Sequence, residues 1–296
     1  MANTKIEWAD KVWNPLRGCS KASEGCRNCY AMTHAARFGG PGMPFDGLAR
    51  FTGNGAQWSG RVDEISEKLN DPRRWKTPKR VFVNSMSDLF HEKVSDAFIS
   101  DVFATMARCP QHTFMVLTKR AKRMFDWFQS AESFDAMEFS MREGAFWPLE
   151  NVWLGVSVEN QAAADDRVKW LVGTPAVKRF VSAEPLLGDV ELTRLPCPIF
   201  DPRSCEDCPA CYDDGVNSCL NGFYNGLDEG IDWVIVGCET GRSSRDMNEA
   251  WVRNLRDQCL ENETAFFYKQ AKDEHGRKQA LPFLDGEQYA EFPDKD

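Results

Sequence analysis

No apolar run in this 296-residue chain approaches the length needed to cross a membrane, and the opening Met1-Ala2-Asn3-Thr4-Lys5 has no apolar targeting core. Both absences lead us to expect a soluble protein of the reducing cytoplasm. Positive charge is also lacking. The net charge is −9 and the isoelectric point about 5.1, so bulk electrostatics would not draw the molecule to duplex nucleic acid. A disulfide framework is a poor fit as well. The eleven cysteines are an odd count, no secretory signal precedes them, and a chain this long builds a core without staples. What is present is ordinary for a globular protein: 42% hydrophobic residues, 27% charged residues and a mean hydropathy of −0.49.

Three of the cysteines crowd into one loop, Gly18-Cys19-Ser20-Lys21-Ala22-Ser23-Glu24-Gly25-Cys26-Arg27-Asn28-Cys29-Tyr30, with the spacing C-x6-C-x2-C. Thiolates this close usually hold a metal. A structural zinc site normally closes with four protein ligands, whereas a 4Fe-4S cluster held by three cysteines leaves one iron open for chemistry. The other reading is a zinc knuckle in which His34, five residues beyond Cys29, supplies the fourth ligand. The loop follows Lys11-Val12-Trp13-Asn14-Pro15, which reads as a short strand, the position at which open α/β folds place ligands.

Beyond it, apolar β-rich segments recur at Arg80–Asn84, Thr113–Leu117, Asn151–Val156, Val177–Val181, Asp232–Val236 and Ala265–Tyr268. Helical stripes lie between several of them, at Ser95–Cys109, Asn160–Val172 and Met247–Leu260. Strand and helix in alternation mean parallel pairing with right-handed crossovers. About seven such units predict an α/β fold, a complete or partial TIM-like (βα) barrel, rather than two domains. Polar groups follow the strands: Ser85, Ser87 and Asp88, then Lys119 and Arg120, Ser157 and Glu159, Glu184, Gly237 and Cys238, and Lys269 with Gln270. In a barrel all of them converge on the mouth that the cysteine loop also faces, where active sites lie.

The pattern W-N-P-x-x-G-C-x6-C-x2-C-Y, with Asn84-Ser85-Met86-Ser87-Asp88-Leu89-Phe90-His91, Leu117-Thr118-Lys119-Arg120, Trp153–Glu159, Ser182-Ala183-Glu184-Pro185-Leu186-Leu187 and Trp233–Gly237, resembles the phage-type three-Cys-motif family, whose function is largely unassigned. That family is similar to radical S-adenosylmethionine enzymes, in which C-x3-C-x2-C is the commonest spacing; the first gap here is longer. The resemblance implies a single barrel domain over residues 1–296 and a 4Fe-4S cluster on Cys19, Cys26 and Cys29. It also implies S-adenosylmethionine as cofactor, an electron donor, and generation of a 5'-deoxyadenosyl radical. By strand order, Ser85, Ser87 or Asp88 would hold the methionyl amine, Ser157 or Glu159 the ribose, and the Gly237 region the adenine. The family context suggests phage DNA modification or repair.

A second cysteine group, Cys197, Cys205, Cys208, Cys211 and Cys219, sits in a stretch rich in Pro, Asp, Gly and Asn between the fifth and sixth strands. We read residues 195–226 as an insertion whose Cys205, Cys208, Cys211 and Cys219 bind an auxiliary iron-sulfur cluster or zinc, Cys197 being the other choice of fourth ligand. Cys109 and Cys259 read as core residues, and so does Cys238, although its place near the mouth would also suit a hydrogen-atom donor.

Substrate class is legible only in local charge. Arg73–Arg80 interleaves basic residues with Trp75, and Lys119-Arg120-Ala121-Lys122-Arg123 ends a strand, where a phosphate-bearing nucleotide or nucleic-acid base would lie. We accordingly take Lys119, Arg120, Glu184 and Cys238 as candidate catalytic residues. The alternative from a different class is a noncatalytic, zinc-stabilised binding module that acts with a partner protein.

Overall fold

The computed structural model describes residues 4, 6–130, 146–196, 223–228, 230–241 and 243–293. Strand β1 (Lys11–Trp13) is followed by helix α1 (Tyr30–Arg37) and a hairpin of β2 (Ala49–Thr52) and β3 (Gly55–Trp58). Then come β4 (Arg80–Val83), α2 (Asp96–Ala107), β5 (Thr113–Thr118), α3 (Ala121–Gln129), β6 (Val152–Ser157), α4 (Gln161–Val172) and β7 (Lys178–Ala183). The chain ends with β8 (Trp233–Gly237), α5 (Glu249–Glu261), β9 (Ala265–Lys272) and β10 (Lys278–Ala280).

One eight-stranded sheet organises the molecule in the order β1-β4-β5-β6-β7-β8-β9-β10. The first seven strands are parallel and follow chain order, while β10 adds an antiparallel edge against β9. A monotonic order with crossovers of one hand puts the helices on one face and curls the sheet, giving a half-barrel. Period-two alternation sorts the side chains between two cores. Val81, Val83, Phe114, Val116, Val152, Leu154, Val181, Val234, Val236, Phe266 and Tyr268 pack outward under the helices. Phe82, Met115, Trp153, Phe180, Trp233, Ile235 and Phe267 point into the concave face, where Trp8 joins them.

This inner core is the floor of the site. Trp233 is its hub, with ring centroids 6.1 Å from Trp8, 6.0 Å from Trp153, 5.8 Å from Phe180 and 5.8 Å from Phe267. Its indole N–H donates to the Glu291 carbonyl at 2.8 Å. Phe180 lies flat over Gly155, where a Cβ would come within 2.5 Å of the ring, so the close approach of β6 and β7 requires glycine there.

The helices start where their capping residues dictate. Ser95 Oγ accepts from the Phe98 amide at α2, Asn160 Oδ1 from Ala163 at α4, and Asn248 Oδ1 from Ala250 at α5. All but one of the predicted strands and helices fall within about two residues of their observed bounds; β9 runs on to Lys272, four residues past the predicted Tyr268. The hairpin β2–β3 is an addition that the alternation of strand and helix did not announce. Of the cysteine-rich insertion, only its stem is described: Leu195–Pro196 pairs antiparallel with Phe223–Tyr224. Cys197, Cys205, Cys208, Cys211 and Cys219 lie outside the described residues.

Candidate active site

The strands deliver their carboxyl-terminal residues to one cavity of about 250 Å³. Cys19, Cys26 and Cys29 line it together with Ser85, Ser87, Asp88, Lys119, Arg120, Ser157, Glu184 and Cys238. Glu159 and Gly237 are not among its lining residues. A Cβ on Gly237 would fall 2.5 Å from Glu184 Oε1, so glycine at that strand end makes room for the carboxylate.

Charged side chains from successive strands clamp the cysteine loop. Arg120, after β5, donates to Ser20 Oγ at 2.8 Å and to the Ser20 carbonyl at 3.2 Å, and lies 3.9 Å from Cys19 Sγ. It is itself held by Asp88 at 3.0 Å and Glu92 at 2.9 Å. Asp88 has no spare capacity, since it also accepts from Thr118 Oγ1 and from the amides of Phe90 and Lys119. Glu159, 2% exposed, bridges Lys119 at 3.3 Å and Arg167 at 2.9 Å. The loop rests on this pair: a Cβ on Gly25 would sit 3.0 Å from Glu159 Oε2 and 3.2 Å from Lys119 Nζ. Burial alone would raise the Glu159 pKa, but Lys119 and Arg167 outweigh it and hold the carboxyl down to about 2. A third clamp comes from beyond β8. Glu239 accepts from Asn28 Nδ2 at 2.9 Å and pairs with Arg245 at 2.6 Å, and Arg245 donates to the Glu24 carbonyl at 3.0 Å.

Within the loop, Cys19 and Cys29 are poor acids. Burial pushes Cys19 up to about 12, reinforced by Asp88 and opposed by Arg120. Burial also raises Cys29, although the backbone amides at the start of α1 partly offset it. Cys26 and Cys29 lie close enough to raise Cys19 electrostatically, and Cys26 does the same to Cys29. Cys238 instead faces Lys272, Glu184 and Lys269, and burial raises its thiol too. His34 does not line the cavity; its ring packs on Phe38 at 4.8 Å and Phe45 at 5.6 Å.

Two further features were invisible in the sequence. Asn84, at the end of β4, is 3% exposed and lines the cavity, yet neither end of its amide has a hydrogen-bond partner, and its backbone is left-handed at φ 63°. Left-handed backbone in a non-glycine residue collects at functional sites. Trp8, also lining the cavity and 1% exposed, leaves its indole N–H unpartnered. Opposite, Lys269 Nζ pairs with Glu184 at 2.6 Å, and Ser182 Oγ donates to the same carboxylate at 3.1 Å. The hydroxyls of Ser85 and Ser87 donate to Asn14 Oδ1 and the Leu16 carbonyl, and the Tyr30 hydroxyl reaches the Ser85 carbonyl at 2.7 Å.

A family described as "Protein of unknown function (DUF5131)" matches residues 3–293. The chain belongs to this family. Neither the curated proteins nor the solved structures give the DUF5131 chain a match. Among its described residues, no three His, Cys, Asp or Glu side chains converge to hold a single metal ion. A 4Fe-4S cluster makes a different demand, because each cysteine binds its own iron and the sulfurs surround the group instead of meeting at a point. Three half-buried thiols lining one cavity, beside unpartnered polar groups, fit that demand.

Proposed function

We propose that the chain is a radical S-adenosylmethionine enzyme acting on a nucleotide or nucleic-acid base. What carries this reading is the place of the cysteine loop: three mutually close thiols open onto the cavity of a parallel half-barrel, beside the ends of the strands. The half-barrel is read as the partial TIM-like barrel that the resemblance to the three-Cys-motif family implies. Cys19, Cys26 and Cys29 would hold a 4Fe-4S cluster, and S-adenosylmethionine would bind beside it among Ser85, Ser87 and Ser157, while Asp88, its oxygens fully engaged, would hold Arg120. The chemistry that such a pair supplies when bound is one-electron reductive cleavage to methionine and a 5'-deoxyadenosyl radical that abstracts hydrogen from a substrate.

The chain's own residues have separate tasks. Arg120, the Lys119–Glu159 pair and the Asn28–Glu239–Arg245 group position the loop from three sides, so Lys119, Arg120 and Glu159 act through the cysteines and not on the substrate. Raised thiol pKa values keep Cys19 and Cys29 protonated until a metal displaces the protons, which makes loading favour higher pH. The aromatic floor of Trp8 and Phe82 excludes water from beneath the reacting atoms. Asn84 offers an adjacent donor and acceptor, the complement of a base edge. Glu184 and Lys269 can hold or move a proton at the cavity wall, and Cys238 could return a hydrogen atom to the product. An electron donor is required as partner, and phage DNA modification or repair is the setting that the resemblance suggests. Anaerobic incubation of the iron-loaded protein with reductant and S-adenosylmethionine tests the reading: methionine and 5'-deoxyadenosine should form, and their absence from a fully loaded, reduced protein would overturn it.

A further inference from the structure

The strand-end basic run conspicuous in the sequence is not free to meet a phosphate, and Arg73, Lys76 and Lys79 of the other run, although without an ion pair among the described residues, do not line the cavity. Lys119 and Arg120 are committed to Glu159, Asp88 and Glu92; Lys122 pairs with Asp126, Arg123 with Asp96 and Arg74 with Asp71. Uncommitted cations in a segment that adjoins the cavity lie elsewhere. In residues 18–60, Lys21, Arg27, Arg37 and Arg50 stand against only Glu24 and Asp46, and Glu24 is already bridged by Arg245. All four cations are exposed, and among the described residues none forms an ion pair. This segment is locally positive in a chain of net charge −9.

The same segment is one structural unit. Helix α1 packs on hairpin β2–β3 around Ala35, Phe45, Leu48 and Ala49, with Phe38 and Trp58 at the margin. It adjoins the cavity directly, because Cys29, Tyr30 and Trp58 are cavity-lining residues. It also carries exposed aromatic side chains: Tyr30 is 55% and Phe51 58% exposed. Unpaired cations beside open aromatic rings are the combination that binds single strands, the first through phosphates and the second by stacking on bases.

We propose that the α1–hairpin unit is a docking platform for single-stranded nucleic acid, which presents a base to the adjoining cavity. The proposal rests on the cavity being the reaction chamber and names its substrate as a polynucleotide in place of a free nucleotide. A single strand is favoured over a duplex because stacking on Tyr30 and Phe51 needs unpaired bases, and because a base must leave its stack to enter an enclosed site.

The test is fluorescence anisotropy of the full-length chain with a labelled oligothymidylate of about 20 nucleotides, without reductant or S-adenosylmethionine. Wild type should bind, and binding should weaken with salt. The double variant Arg37→Gln/Arg50→Gln should lose roughly tenfold or more in affinity at low salt and flatten the logarithmic salt slope by about 0.7 per lost phosphate contact. Phe51→Ala should lose roughly fivefold, the low end of a base–aromatic stack, with little change in salt slope. Both variants alter exposed side chains and should keep the wild-type melting temperature and the cleavage of S-adenosylmethionine. If wild type cleaves no S-adenosylmethionine but binds the strand through these residues, the radical reading falls and the platform stands. Absence of strand binding, affinity untouched by both variants, preference for duplex, or a concentration-dependent dimer abolished by the same substitutions would each overturn the platform.

Discussion

Replacing Glu159 with Gln tests whether this residue braces the cysteine loop. Its carboxylate is 2% exposed and shared between Lys119 at 3.3 Å and Arg167 at 2.9 Å, so Gln leaves two largely buried cations facing a neutral amide. Breaking a buried pair from one side costs about 3–5 kcal/mol. The titration gives an independent figure. In the folded chain the carboxyl is held down to about 2 from its ordinary 4.5. A depressed carboxyl pKa contributes stability that is fully present above the unfolded value and is lost as the pH falls through the folded one. The window therefore runs from about pH 4.5 down to pH 2, and at ~1.36 kcal/mol per pH unit it is worth about 3 kcal/mol. Urea unfolding of wild type and Glu159→Gln should differ by about 3 kcal/mol at pH 7, with the difference shrinking steadily toward pH 2. Because Gly25 rests on this ion pair, the variant should also retain less iron after loading. A variant within 1 kcal/mol of wild type at pH 7, or a gap that persists undiminished at pH 2, would refute the bracing role.

Gly155→Ala should cost about 1–3 kcal/mol in thermal unfolding, because the new methyl group meets the buried Phe180 ring; a neutral result would mean that the ring can retreat. Asn84→Gly keeps the left-handed backbone while deleting the unpartnered amide, so the unliganded protein should be at least as stable as wild type, whereas affinity for the bound ligand should fall roughly tenfold, as calorimetry would show. Replacing Cys19, Cys26 and Cys29 together with alanine should leave metal on the insertion through Cys205, Cys208, Cys211 and Cys219; a folded variant with neither zinc nor iron would remove that second site.

Much of this framework is legible in the chain alone, because the parallel strands are buried on both faces and read as unbroken apolar segments such as Val152–Val156 and Trp233–Val236. The helices between them announce themselves through apolar stripes and through Asn160 and Asn248 as caps. The cysteine loop stands out by spacing. What one dimension hides is commitment: Lys119, Arg120, Asp88 and Glu159 are strand-end polar residues of the kind that contact ligands, yet each is taken up by a partner 28 to 101 residues away or by a neighbouring helix. Glu239 stands in the polar run after its strand, but its pairing with Arg245 and its hold on the loop stay hidden because they depend on Asn28, 211 residues distant from Glu239. Asn84 sits inside the Asn84–Asp88 run that sequence reading did single out, but only the fold shows that its amide has no partner. The hairpin β2–β3 carries its own turn signal in Asn54-Gly55, flanked by strands too short and too exposed to form an apolar segment.

The central claim is tested most directly by reconstituting the chain anaerobically with iron and sulfide, then quantifying bound iron together with methionine and 5'-deoxyadenosine after addition of reductant and S-adenosylmethionine. Wild type should carry about four more irons per chain than the variant lacking Cys19, Cys26 and Cys29, and only wild type should release both products. Stoichiometric zinc held by those three cysteines, or a fully loaded and reduced protein that leaves S-adenosylmethionine intact, would contradict it.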